Sequence, residues 1–272
     1  MLEKLDLSRF GQPSAQPYDP IAHAKMKVDS YNKTQGDLTG TDCPRCLNRG
    51  NQAYLREDGT MGFAPCSCMD ARRSIWKMER SGLKNIIKEM TFERFQVSEA
   101  WQENIKASAM AYAQKPEGWL LFCGQVGSGK SHLCTAVCRY RLLQGDQVRY
   151  MPWREDVAQL KALMLDSQKR DGLITELKTA QILYIDDLFK TGKDASGVAN
   201  PTGADVGIAF EIINYRYINH LTTIVSTERT PEELLRIDEA TASRIFERAK
   251  GYTLNIGRQE GRNYRLRTVL EL

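Results

Sequence analysis

The residues best placed to do chemistry form the run Gly124-Gln125-Val126-Gly127-Ser128-Gly129-Lys130-Ser131. It satisfies every fixed position of the phosphate-cradling P-loop. Glycines let the backbone curl until its N–H groups face phosphate oxygens, and a helix N-terminus behind them adds positive potential. Lys130 has the reach for β- and γ-phosphates, and the Ser131 hydroxyl can bind magnesium. These eight residues and the next, His132, form the expected nucleotide-binding set. A second element, Ile182-Leu183-Tyr184-Ile185-Asp186-Asp187, ends an apolar run on paired acids. Asp186 is expected to share the magnesium ion with Ser131, and Asp187 to orient or deprotonate the attacking water. Lys130, Asp186 and Asp187 thus make a catalytic set for ATP hydrolysis. A GTPase would need an Asn-Lys-x-Asp base-reading motif, which the sequence lacks. No acceptor-binding signature supports a small-molecule kinase.

A separate chemistry sits upstream. Two residues separate Cys43 from Cys46, nineteen follow, and Cys66 and Cys68 flank a single residue. Four soft thiolates in two close pairs suit tetrahedral zinc, although the second pair is tighter than the common spacing. With four ligands used, the site is structural rather than catalytic. His23, His132 and His220 lie outside this cluster. The other cysteines, Cys123, Cys134 and Cys138, are scattered around the P-loop and read as core packing.

These groups need a scaffold to hold them. The P-loop follows the apolar run Trp119-Leu120-Leu121-Phe122 and precedes a helix over 130–143 that Gly145 ends. Further strands are expected at 147–151, 182–185, 222–226 and 252–255, with helices at 100–114, 155–169, 204–219 and 238–250, a shorter one before residue 179 and another from Pro231. Alternating strands and helices imply an α/β fold with a parallel sheet flanked by helices, whose ligands sit at the strand C-termini. The expected organisation is an N-terminal segment (1–41), a cysteine-rich zinc module (42–70), a basic linker helix (71–90) and an ATPase domain (91–272). The linker carries Arg72, Arg73, Lys77, Arg80, Lys84 and Lys88, with Gly82 as a breaking point and Leu83 on an apolar side. Net charge is only +4, with 26% charged and 42% hydrophobic residues, which does not by itself argue for nucleic acid. The sequence shows neither a signal peptide nor a membrane span, so a cytoplasmic location is expected.

The ordered motifs resemble the AAA+ helicase loaders of bacteria and phages, the DnaC/DnaI type grouped with IstB-like ATPases. The resemblance covers residues from about 91 to the end and, loosely, the cysteine module too. Its pieces are Thr91-Phe92-Glu93-Arg94-Phe95, the P-loop, Asp186-Asp187, the long segment Phe210 to Tyr217, the box Ser243-Arg244-Ile245-Phe246-Glu247-Arg248 and the closing Gly261-Arg262-Asn263-Tyr264-Arg265. It implies subunits that assemble on a replicative ring helicase and help place it on single-stranded DNA during replication initiation. ATP then sits between neighbours, and an arginine of one subunit completes the next site. By position that finger is Arg244, with Arg248 second. The resemblance also sends the loop after Asp187 toward DNA, with Lys190, Thr191 and Lys193 at its phosphates, and links the zinc module to helicase binding. Two departures stand out. Glu228 occupies the place of the family's polar sensor at the end of the fourth strand, and no helical lid follows the fifth, which leaves Arg265 as the only suggestion for a sensor arginine. A transposition helper of the IstB type shares the core but ordinarily needs no cysteine module, and a duplex-reading initiator would need a helix-turn-helix domain.

Overall fold

The computed structural model describes residues 18–39, 42–78, 86–191 and 200–266. The expectations for residues 1–17, for Arg80, Gly82, Leu83 and Lys84, and for Lys193 fall outside them. The chain divides into two compact units, Met1–Met69 and Asp70–Leu272.

In the first unit, Pro20 opens helix α1 (Pro20–Lys33), with the Asp19 carboxylate accepting from the N–H groups of Ile21 and Ala22. Strands β1 (Asn51–Leu55) and β2 (Met61–Pro65) form an antiparallel hairpin not foreseen from the sequence. Its turn is built by Asp58 and Gly59: Asp58 Oδ1 accepts from the Thr60 N–H and hydroxyl, and Gly59 takes φ 78°. An Asp-Gly pair between Ala53-Tyr54-Leu55 and Met61-Gly62-Phe63 is a hairpin signal that the cysteine spacing overshadowed. Helix α2 (Cys68–Met78) begins at the last of the four clustered cysteines.

The second unit carries the sheet. After α3 (Ile86–Glu89) and α4 (Ala100–Gln114), five strands alternate with helices: β3 (Leu120–Gly124), α5 (Lys130–Leu143), β4 (Val148–Pro152), α6 (Trp153–Ala162), α7 (Ser167–Thr179), β5 (Ile182–Asp186), α8 (Gly203–Ile218), β6 (Thr222–Ser226), α9 (Pro231–Ile237), α10 (Glu239–Arg248) and β7 (Thr253–Ile256). The strands are all parallel in the order β4-β5-β6-β3-β7, and helices cover both faces, so the expected fold class is borne out. Alternation along β3 divides the core in two. Leu120 and Phe122 pack with Leu133, Cys134 and Cys138 on one face, whereas Trp119, Leu121 and Cys123 pack with Ile212, Val225 and Ile245 on the other. The three scattered cysteines are therefore core residues.

One expected helix is corrected. The stretch 155–169 is two helices, because Asp166 accepts from the Lys169 N–H and caps α7. Leu163-Met164-Leu165 kept the apolar pattern running, yet Met164 and Leu165 are solvent-exposed. In the second unit the remaining element ends match the expected ones or differ by at most two residues, and α4, α5 and β6 match at both ends. No helix among the described residues is long and apolar enough to cross a membrane.

Candidate functional site

The P-loop leaves β3, which lies between β6 and the edge strand β7. Gly124, Gly127 and Gly129 all adopt positive φ, at 101°, 71° and 92°. At Gly127 the reason is also steric: a Cβ would lie 1.8 Å from Asn263 Oδ1. The closing segment is strapped to the loop there. The Tyr264 N–H donates to the Gly127 carbonyl over 2.9 Å, and Gln125 Nε2 donates to the Gln259 carbonyl over 3.0 Å. Lys130 is buried and donates through Nζ to the carbonyls of Gly124 and Gln125 at 3.0 and 2.6 Å. Burial holds its pKa below the usual lysine range, although Asp187 and Glu228 pull the other way.

Asp186 and Asp187 end β5 beside this loop, and their two carboxylates have different partners. Asp186 Oδ1 accepts from Ser131 Oγ at 2.9 Å, from the Tyr184 hydroxyl at 2.7 Å and from Ser226 Oγ. Its Oδ2 accepts from the Tyr150 hydroxyl at 2.9 Å. Burial and the Asp186 charge push both tyrosines far above their ordinary pKa, so they act only as hydroxyls. Ser131 Oγ and Asp186 together offer hard oxygen donors at the mouth of the loop, a set that fits magnesium. Asp187 has left-handed backbone (φ 58°), its N–H donates to Ser226 Oγ at 3.0 Å, and its carboxylate pairs with Lys190. Burial raises the Asp187 pKa, with Lys190 opposing and Asp186 adding to the rise. Tyr150, Tyr184 and Ser226 escaped the sequence reading because only strand pairing reveals them: Tyr150 lies opposite Tyr184 in the β4–β5 register, and Ser226 ends the strand on the other side of β5.

A cavity of about 380 Å³ adjoins these groups. Gly127, Ser128, Gly129, Lys130, Ser131 and His132 line it, together with Asp187, Glu228, Arg262 and Arg265. Met90, Arg94, Phe95 and Gln96 add the segment before α4. His132 Nε2 lies 2.8 Å from the Thr91 carbonyl and its ring meets Phe95 edge-on, so it ties that segment to the P-loop; burial lowers its pKa. Lys190, expected near DNA, has its Nζ 2.7 Å from Asp187 and 2.8 Å from Glu228. Arg244 is absent from this cavity's described lining. Its Nε donates to Asn214 Oδ1 at 3.0 Å and its guanidinium lies over Phe210 and Tyr217, holding it on the α8–α10 face.

In the first unit, all four clustered cysteines are buried and their Sγ atoms lie within 4.8 Å of one another. The Cys43–Cys66 and Cys46–Cys68 sulfur distances are 3.8 and 3.5 Å. Thiolates 2.3 Å from a tetrahedral zinc are separated by about 3.8 Å, so the donor set fits the metal. Burial pushes the Cys46 thiol up, but the Gly50 N–H at 3.3 Å and the neighbouring thiols outweigh it, leaving a pKa lowered to about 7.

The family model for the bacterial DnaA ATPase domain matches residues 86–250. The chain belongs to that family. The phage-like element PBSX protein XkdC of Bacillus subtilis (strain 168) is 29% identical over 267 residues, covering 94% of this chain and 96% of that protein. That match is long enough to include the cysteine unit. The uncharacterized protein YqaM of the same organism is 31% identical and covers 74% of this chain and 66% of its own length. The replicative helicase loader DnaC of Escherichia coli (strain K12) is 25% identical, covering 68% of this chain and 74% of its own. The crystal structure of the DnaC helicase loader shares the fold, with a TM-score of 0.50 at 19% identity over 64% of this chain and 99% of that one. The family model and these relatives bear out the resemblance to DnaC/DnaI-type AAA+ proteins.

Proposed function

We propose that the chain is an ATP-dependent helicase loader, which binds a replicative ring helicase and helps place it on single-stranded DNA. The observation that supports this reading is the P-loop with buried Lys130, the Ser131–Asp186 hydrogen bond and Asp187 beside one cavity, on a chain related to the replicative helicase loader DnaC. The flat base of ATP would meet Met90 and Phe95, and its phosphates the N–H groups of residues 127–131. Mg²⁺, held by Ser131 and Asp186, would neutralise charge on the β- and γ-oxygens. Asp187 takes a proton from water as the water oxygen bonds to the γ-phosphorus. The bond to the bridging oxygen breaks, and ADP leaves with the electron pair.

Four features complete the reading. Cys43, Cys46, Cys66 and Cys68 would hold zinc, which would staple a unit too small to hold itself by a hydrophobic core. That unit supplies the helicase contact. The subunits form an oligomer on the helicase. Arg244, turned away from its own cavity, serves the site of a neighbour. The cysteine unit disfavours a transposition helper.

The test is reconstitution with the host's ring helicase on closed circular single-stranded DNA. Helicase binding and an ATP-dependent gain in unwinding are expected. No binding and no gain would sink the proposal.

A further inference from the structure

Glu228 lines the cavity beside the P-loop and Asp187, where an unpaired acid would repel an incoming γ-phosphate. Lys190 supplies the missing charge. Lys190, Asp187 and Glu228 line the same cavity as residues 127–131, so this ammonium sits at the phosphate end of the nucleotide site. Its Nζ bridges Asp187 Oδ2 at 2.7 Å and Glu228 Oε1 at 2.8 Å.

The turn that delivers Lys190 is built rather than loose. The Leu188 N–H donates to the Ser226 carbonyl over 2.8 Å, Thr227 Oγ1 donates to the Leu188 carbonyl over 2.8 Å, and the Lys190 N–H donates to the Asp187 carbonyl over 2.9 Å. Asp187 and Phe189 both hold left-handed backbone, at φ 58° and 61°. A bulky residue keeps such a conformation only where its surroundings over-determine it. Here the Phe189 ring is buried against Trp153, centroids 5.4 Å apart. The backbone thus folds Lys190 back over the acid three residues before it.

We propose that Lys190 and Glu228 form a γ-phosphate reader: when ATP enters, Lys190 stays on Glu228 and exchanges Asp187 for a γ-phosphate oxygen, freeing Asp187 for the water. The inference rests on the ATPase reading above. Only ion pairs are exchanged, and the three N–H donors of an ammonium allow one to move while another holds. ADP has no γ-oxygen, so with ADP the Lys190–Asp187 pair stays closed and the acid stays masked. Glu228 has to be an acid because it retains the ammonium after Asp187 releases it. Burial lowers the Lys190 pKa, but its bonds to the two acids outweigh that and raise it, so it enters the exchange as a cation.

The experiment compares full-length wild type with Lys190→Met, Lys190→Arg and Glu228→Gln. Affinities for ADP and for a non-hydrolysable ATP analogue are measured with Mg²⁺, followed by single-turnover ATP hydrolysis. Lys190→Met is expected to lower the preference for the analogue over ADP about tenfold, one charge-assisted contact's worth, with ADP affinity held within about twofold. Lys190→Arg should restore most of the preference, and Glu228→Gln should lose part of it. An unchanged preference in Lys190→Met, or equal losses for both nucleotides, overturns the inference and returns Lys190 to a structural ion pair. If Lys190→Met does not fold, a wild-type preference in Glu228→Gln overturns it instead. Wild type that binds neither nucleotide would bring down the ATPase reading and this one together. Wild type that hydrolyses ATP while the variants keep its preference removes this one alone.

Discussion

Asp186 and Asp187 are neighbours in sequence, yet the chain gives them opposite surroundings. Four hydroxyls converge on Asp186 and fix both of its oxygens in place. Asp187 turns away through a positive φ and keeps one exchangeable ammonium partner. A carboxylate locked by hydroxyls suits a metal ligand, and one with a movable partner suits a base. Two variants separate these roles from that of Lys130. Lys130→Ala removes a buried cation from the phosphate end, and nucleotide affinity should fall about 100-fold, within the usual cost of a truncated buried charge. Isothermal titration with an ATP analogue reads this out, and near-wild-type affinity would refute it. Asp187→Asn should bind nucleotide normally while hydrolysis falls about 100-fold, the lower end of what a positioned base contributes. Hydrolysis at the wild-type rate would remove Asp187 from its role. The P-loop and both acids were legible in the sequence because their spacing is local. Lys190's position was not, since it depends on two left-handed residues and a partner thirty-eight positions away.

At the scale of elements, α8 is anchored by an arginine that does no chemistry. Arg216 is fully buried, and its guanidinium donates to Thr223 Oγ1 and to the carbonyls of Leu177, Lys178, Ala180 and Thr222. Burial lowers its pKa to about 9, which still leaves it a cation at neutral pH. One side chain thus satisfies carbonyls at the end of α7 and ties them to β6, the strand that delivers Ser226. Arg216→Met would leave those carbonyls buried and unpaired, at a cost of about 3–4 kcal/mol. For a unit of this size the melting temperature should drop by about 10 °C. A drop below about 2 °C by calorimetry would show that water takes over the bonds at little cost. The sequence placed α8 within a residue because its apolar pattern runs over four turns, and β6 because Thr222 to Val225 is an unbroken β-branched run. It ran α6 into α7 because Leu163-Met164-Leu165 continues the helical period while only the Asp166 cap breaks it. It passed over the β1–β2 hairpin because a five-residue strand with mixed polarity carries little periodic signal.

For the whole molecule, the division into two units predicts two separable losses. The first unit's buried cluster is the cysteine set itself, with Met69 beside it. Treating the protein with a strong chelator should release about one zinc per chain and expose residues 42–69 to protease, while nucleotide binding by the second unit persists. Metal analysis finding no zinc in reduced protein would refute the assignment. Under the proposed function, Arg244 would act in an assembly of subunits. It lies on the α8–α10 face, held by Asn214 and the rings of Phe210 and Tyr217, and does not line its own cavity among the described residues. A guanidinium pre-set in this way is suited to a phosphate brought by a neighbour, where such fingers contribute roughly 10³–10⁵ in rate in other P-loop enzymes. Arg244→Ala should therefore keep its ATP affinity and lose the hydrolysis that assembly stimulates. Mixing gives the sharper result. Lys130→Ala subunits have a dead P-loop but an intact Arg244, and Arg244→Ala subunits have the reverse. Wherever the first kind presents Arg244 to the second kind's P-loop, one complete site reappears, so two nearly inactive preparations should recover activity when combined. If sedimentation shows that they co-assemble and activity stays absent, Arg244 acts within its own chain or only holds α8 against α10.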